Sequence, residues 1–402
     1  MELLKKHAAL ALLYFMLIAL FGLLLRLFQL VDIPVVYKYI VHTHSHIALL
    51  GWVYTALTTL LYTLYLGNAQ INKKYRILFW FTQVTIIGML LSFPFTGYAL
   101  FSILFSTLFL IASYVFARLF FKYTCAEQKG TASYRCIRMA LWYMVLSSLG
   151  PWALGAIMNT AGSESPLYRN AIYFYLHFQY NGWFVMALLG IFLKLIEQGG
   201  LTLSKRSFKR FFWLINGGIV ATFGISLLWM EPHMGIYLVS ALGALMQCLA
   251  FVILIRSIRP FWNKLSGMGP PLVFWSLKIT ALLFLVKLVL QFFSTLPPIA
   301  AMVMSNIDFV IGYLHWTFLG VVSIALFGFL RYFRLIGLSK KALLFYLIGF
   351  GLTEGLIFYK GIAVWKQLPL LTDYFWYLAL ASGVLLLAIG IILGLQFSKR
   401  VG

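Results

Sequence analysis

The feature that most constrains the fold is a series of about twelve apolar runs, each near the ~20 residues that cross a bilayer as a helix. Backbone polar groups in lipid are satisfied only in helices or closed barrels, and these runs are too long for barrel strands. The sequence therefore predicts an all-α, polytopic membrane bundle, with residues 1–402 forming one integral membrane domain. Runs 3 and 4 abut, so the boundary between them is the least marked. The runs cover residues 8–30, 39–66, 77–97, 98–121, 137–160, 171–196, 208–230, 235–256, 271–294, 301–330, 342–362 and 374–397.

The basic residues are distributed unevenly between the loops. A net charge of +22 is compatible with nucleic-acid binding, but most cations fall in alternate loops, which is the positive-inside pattern of membrane proteins. We therefore expect both termini in the cytoplasm, no nucleic-acid partner, anionic lipid headgroups near those loops and a bacterial-type cytoplasmic (inner) membrane. The clustered cations include Lys73, Lys74, Arg76, Arg118, Lys122, Lys205, Arg206, Lys209, Arg210, Lys340, Lys341, Lys399 and Arg400.

Histidines concentrate where apolar runs begin. The stretch VHTHSHIALLGW opens run 2, and with this topology all of the seven histidines except His7 fall in the outer half of the bilayer. A single intramembrane histidine is more often a hydrogen-bonded core residue than a ligand, but a shared depth favours a common site. Imidazole is the usual nitrogen ligand of heme iron and copper. The sequence therefore favours a heme held by two histidines, with or without copper, from among His42, His44, His46, His177, His233 and His315.

Helical spacing divides the three histidines of run 2. His42 and His46 are four residues apart and share one helix face, whereas His44 points about 200° away from either. At most two of the three can therefore serve one site.

Taken in chain order, these short motifs resemble subunit I of the heme-copper oxidase superfamily, which includes nitric oxide reductases and NnrS-type proteins. His44 or His46, followed by LLGW, resembles the low-spin heme ligand of span 2, and His315 resembles its partner in span 10. The resemblance implies a low-spin heme b between them, electron transfer or chemistry on O2 or NO, and an electron-donor protein or other membrane subunits as partners. Whether the chain is an oxidoreductase stays open at this point.

The resemblance also names further site residues, with two departures. His177 stands at the copper-ligand position of span 6, and His233 stands where the family has a histidine pair, so that a copper site would also need His42. Tyr313 replaces the high-spin heme histidine, which makes the oxygen-reducing centre incomplete. Lys360 and Lys366 occupy the place of propionate-binding residues, although plain snorkelling explains them equally well.

A second hypothesis from another class is a multi-span transporter or a metal or proton permease that uses the histidines. Lys278, Lys287, Asp308 and Glu354 lie inside apolar runs, and ionisable residues at that depth are functional candidates. The alternative for each is an ion pair that holds helices together, such as Lys287 with Glu354. No matching pair of interrupted runs indicates a transporter repeat.

Overall fold

Twelve long helices account for most of the residues that the computed structural model describes, which are 1–67 and 70–398. Each helix is long and apolar enough to cross a membrane, so the chain is an all-α, multi-pass membrane protein. Lys399 and Arg400, which belong to the predicted pattern of cations, lie outside the described residues. The helices are α1 Glu2–Leu27, α2 Tyr37–Leu66, α3 Asn72–Thr96, α4 Leu100–Tyr123, α5 Ala132–Thr160, α6 Pro166–Gln198, α7 Lys205–Met230, α8 Met234–Ser266, α9 Pro271–Phe293, α10 Ile307–Tyr332, α11 Lys340–Trp365 and α12 Tyr374–Gly394.

Some of the helices start at a capping side chain, and one short connection depends on a glycine. Ser165 accepts a hydrogen bond from the backbone of Leu167 at the start of α6, and Pro166 follows it at the first helical position. Gly97 ends α3 with a φ of 58°, a conformation that glycine adopts most easily. The predicted boundary between runs 3 and 4 is thereby confirmed.

The chain divides into two compact units, of which unit 1 comprises residues 1–125 and 323–402. In unit 1, α1 packs against α2 and α12, α11 packs against α12, and α3 packs against α4. Phe15 stacks on Trp52 with ring centres 4.8 Å apart, and the indole N–H of Trp52 donates to the hydroxyl of Ser323 at 2.9 Å. These contacts fix α2 between its neighbours, and most of α2 is buried.

Unit 2 comprises residues 126–322. Here α5 packs along α6, α7 pairs with α8, and α8 also contacts α9. The buried helix of this unit is α6, in the same way that α2 is the buried helix of unit 1. The two buried helices have mean hydropathies of only 1.6 and 1.3, lower than those of most of the other helices.

Three helices contain stretches of π-helix, in which backbone hydrogen bonds join residues five apart. Such stretches are rare and often mark functional positions. In each of α2, α6 and α10, one π-helical stretch begins directly after a histidine. These stretches are Ile47–Tyr54, Phe178–Phe184 and Trp316–Ser323.

Candidate functional site

The structure places His42 and His46 on one face of α2, as the spacing predicts. The ring of His42 lies 4.7 Å from that of Tyr98, and the ring of His46 lies 4.4 Å from that of Phe93. Nδ1 of His46 donates to the carbonyl of His42 at 2.9 Å, so Nε2 is its acceptor nitrogen. The Tyr98 hydroxyl lies 3.3 Å from that Nε2. Both ring nitrogens of His46 are therefore engaged in hydrogen bonds.

His44 faces the opposite way, toward α1, which confirms the prediction from helical spacing. Its Nδ1 lies 3.0 Å from the carbonyl oxygen of Ile18. A carbonyl only accepts, so Nδ1 carries the proton and Nε2 carries the lone pair. Gly22 gives the ring its space, because a methyl group added there would lie 3.3 Å from Cε1 of His44. This hydrogen bond is the kind that orients metal-binding histidines in proteins.

His177 is a hydrogen-bonded core residue of unit 2. Its Nε2 donates to the carbonyl of Ile219 on α7 at 2.8 Å, and its Nδ1 lies 3.3 Å from the Nδ2 of Asn181. The side chain is 3% exposed. In this arrangement the Nε2 bond of His177 holds α6 against α7, while the Nδ1 contact stays within α6.

The most deeply buried cation of unit 2 is Lys287 on α9, with 1% exposure. Its ammonium donates to Oδ1 of Asn181 at 2.6 Å and to Oε1 of Gln291 at 2.5 Å. Tyr313 on α10 also donates to that Gln291 oxygen, at 3.1 Å. Two amide oxygens thus solvate a charge that the hydrocarbon would otherwise disfavour. The polar network Ile219–His177–Asn181–Lys287–Gln291–Tyr313 therefore joins α6, α7, α9 and α10.

Sequence reasoning named Lys287 and His177 but missed this network. One signal was present: Gln291 follows Lys287 by four residues, and Asn181 follows His177 by four, which places each amide on the same helix face as its ionisable neighbour. Lys287 lies in unit 2 and Glu354 in unit 1, and their pairing stays a prediction. Glu354 is buried within α11.

The histidines named for copper have separate local roles. His233 is exposed and caps the start of α8, where its Nδ1 accepts from the backbone N–H of Gly235 at 3.2 Å. Among residues 1–67 and 70–398, no three His, Cys, Asp or Glu side chains form a group able to hold a metal ion. The arrangement of His42, His177 and His233 does not fit a copper ion on these grounds. Copper binding stays a prediction, and we derive no chemistry from it.

The lysines assigned to heme propionates lie near the end of α11. The ammonium of Lys366 is 3.9 Å from the ring centre of Trp365, and that of Lys360 is 5.9 Å from the ring centre of Phe375. Cation–π contacts of this kind are equally typical of lysines that snorkel to a membrane interface. The propionate role of both lysines therefore stays a prediction.

Three helices share one spacing between a histidine and a glycine, and the π-helical stretches draw attention to it. His46, His177 and His315 each end an α-helical stretch, and each is followed five residues later by a glycine. The glycines of α2 and α6 admit a tyrosine from the preceding helix. A methyl group added at Gly51 would lie 2.9 Å from Cγ of Tyr14, and one added at Gly182 would lie 2.6 Å from Cβ of Tyr143.

This repeated pattern bears on which histidine of α2 is suited to bind a cofactor. His46 and His177 occupy the repeated position, and in both the two ring nitrogens are already hydrogen-bonded. His44 lies outside the pattern, and its Nδ1 donates to the carbonyl of Ile18. His315, which is half-buried, also occupies the repeated position.

A scan of the chain against protein-family profiles and a search among curated proteins both found no match. The resemblance to heme-copper oxidases therefore stays a prediction that rests on the short motifs themselves.

Proposed function

We propose that the protein is a heme-binding membrane protein and that His44 would hold the iron. The observation that supports this most is the hydrogen bond from Nδ1 of His44 to the carbonyl of Ile18. Histidines that bind metals nearly always donate their other ring N–H to a carbonyl, a carboxylate or water, which fixes the tautomer and the ring orientation. Here the bond directs the lone pair to Nε2, the nitrogen that would bind iron.

The resemblance assigns a second ligand of the same heme to His315, and that assignment stays a prediction. A heme held by two histidines would supply one-electron transfer. Reduction of O2 or NO would need a second metal with an open position, and the described residues offer no cluster for one. Electron transfer is therefore the activity that this donor set supports best.

The surrounding residues of α1 have defined tasks in the proposal. The carbonyl of Ile18 holds the proton of His44 at Nδ1, and Gly22 leaves room for the ring to keep that orientation. Displacement of the ring by a side chain at position 22 would turn Nε2 away from the iron. Ile18 and Gly22 would thus act on heme binding through the orientation of His44.

The test is the visible spectrum of the protein purified from heme-sufficient cells. We expect a Soret band and a sharp α band on reduction. His44→Ala and His315→Ala should each lose or strongly shift these bands, whereas the matched change His46→Ala should keep them. A colourless wild-type preparation would refute the proposal. Loss of the bands in His46→Ala but not in His44→Ala would show that His46, and not His44, is the ligand.

A second candidate function, proton transport, is favoured by the network around Lys287. Ionisable residues buried at membrane depth commonly lie on proton paths. The hydrogen-bond acceptors of Lys287 are the neutral amides of Asn181 and Gln291. Proteoliposomes loaded with a pH-sensitive dye test this function. Lys287→Met should abolish proton flux if the network conducts, while Lys278→Met, at an exposed position on the same helix, should leave the flux unchanged.

A further inference from the structure

The first turns of α7 carry a row of cations beside an apolar cleft. Arg206, Lys209 and Arg210 are spaced by three and four residues, so they share one face of the helix. The cleft beside them has a volume of about 600 Å³ and lies between α7 and α8. We call it the basic groove; its lining residues are Arg206, Lys209, Arg210, Trp213, Leu214 and Met246.

The charge of the basic groove is not neutralised locally. The first turn of α7 contains no acidic residue, and in the described part of the chain Arg206, Lys209 and Arg210 form no ion pair. The N-terminus of a helix adds a partial positive charge of its own. Several cations held this close repel one another, so an anion bound among them would relieve that repulsion.

Beyond the cations, the groove becomes apolar and continues along the membrane-spanning part of the helices. Trp213 is 64% exposed, and Leu214 and Met246 extend the same wall. With a rise of 1.5 Å per residue, Leu214 lies about 12 Å along the helix from Arg206. An occupant that covers the whole groove is therefore anionic at one end and apolar along the adjoining side, whereas a free phosphate would leave Trp213 uncovered.

We propose that the basic groove binds an anionic phospholipid. Its phosphodiester lies among Arg206, Lys209 and Arg210, and an acyl chain lies along Trp213 and Met246. The proposal goes beyond the heme-binding function and does not depend on it. Basic residues near a membrane surface each favour anionic lipid by about fivefold in affinity, so three of them together produce a preference on the order of 100-fold.

Quenching of Trp213 by brominated lipid tests the proposal on the full chain in nanodiscs. The signal of Trp213 is the difference in fluorescence between the wild type and Trp213→Phe. We expect brominated phosphatidylglycerol, at a low mole fraction in phosphatidylcholine, to quench this component far more than brominated phosphatidylcholine at the same fraction. The triple variant Arg206→Gln, Lys209→Gln, Arg210→Gln should lose that preference.

A matched control removes cations from the start of another helix. Lys340→Gln with Lys341→Gln, at exposed positions that open α11, should keep the preference for the anionic lipid. Equal quenching by the two brominated lipids in the wild type, or an unchanged preference in the triple variant, would overturn the proposal. Displacement of the brominated lipid by millimolar inorganic phosphate would also overturn it, because the groove would then be a phosphate site. The Soret band, measured on the same samples, should not differ between the triple variant and the wild type, which separates this test from that of heme binding.

Discussion

Lys287 donates a 2.6 Å hydrogen bond to Oδ1 of Asn181, whose Nδ2 lies 3.3 Å from Nδ1 of His177. One amide thus links a buried ammonium to a buried imidazole. His177 uses its Nε2 proton on the carbonyl of Ile219, so a neutral ring accepts at Nδ1. A second proton at Nδ1 would face the amide N–H2 and force Asn181 to rotate, which would turn the same N–H2 toward the ammonium. The contacts of Asn181 with Lys287 and with His177 therefore depend on one orientation of its amide.

Asn181→Leu tests this link. The change removes the group that accepts from Lys287 and the group that donates to His177. Each buried polar group left without its partner lowers the free energy of unfolding by about 1–3 kcal/mol. We expect a clearly lower thermal unfolding temperature for the protein in detergent. Asn159→Leu, at an exposed position of α5, is the matched control and should change the free energy of unfolding by only about 0.5 kcal/mol. Equal effects of the two changes would show that Asn181 does not support the network.

Gly22→Val tests the orientation of His44. A methyl group at position 22 already approaches Cε1 of His44 at 3.3 Å, and the larger branched side chain should push the ring away from the carbonyl of Ile18. On the heme proposal we expect a weaker or shifted Soret band in the purified variant. Gly155→Val is the control, because no heavy atom lies within 4 Å of a methyl group there. An unaltered spectrum in Gly22→Val would argue against His44 as a ligand.

The two glycines of the repeated pattern should be intolerant of a methyl group. Gly51→Ala and Gly182→Ala would each force a tyrosine, Tyr14 or Tyr143, out of a close contact, and overpacking of this kind typically costs about 1–3 kcal/mol. The measurement is thermal unfolding followed by a thiol-reactive or intrinsic fluorescence signal. Gly390→Ala in α12, where a methyl group meets no atom within 4 Å, should be neutral or slightly stabilising. If Gly51→Ala unfolds at the same temperature as Gly390→Ala, the close packing of α1 on α2 is not important for stability.

The predicted orientation of the termini can be tested with the native cysteines. Cys125 is exposed in the connection between α4 and α5, whereas Cys136 is buried. With both termini in the cytoplasm, this connection faces the cytoplasm as well. A membrane-impermeant maleimide should therefore label the protein in inverted vesicles and not in right-side-out cells, and Cys125→Ser should lose that labelling. Labelling from outside intact cells would show that the topology is the opposite of the predicted one.

The helices and the faces of their histidines were predictable because both follow from hydrophobic length and α-helical spacing. The faces of His42, His44 and His46 follow α-helical spacing because the α-helical part of α2 extends to His46. The π-helix begins only at Ile47. The boundary near Gly97 was likewise predictable from the two abutting runs.

The contacts between helices were not predictable in the same way. Asn181 lies 106 residues from Lys287 along the chain, and no periodicity links such positions. The anchoring of His44 by Ile18 involves a backbone carbonyl, which every residue possesses and which therefore leaves no mark in the sequence. The π-helices left only the recurring interval between a histidine and a glycine.

That interval has a consequence for how the protein can change in evolution. A π-helix holds an additional residue within its turn, so a one-residue deletion between His46 and Gly51 can be absorbed by tightening the turn to an ordinary α-helix. Elsewhere in a long helix, the same deletion would rotate everything beyond it by about 100°. Such a change is therefore tolerated best in the three stretches that follow His46, His177 and His315. There, gain or loss of a single residue can change the direction of an imidazole while the far end of its helix keeps its orientation.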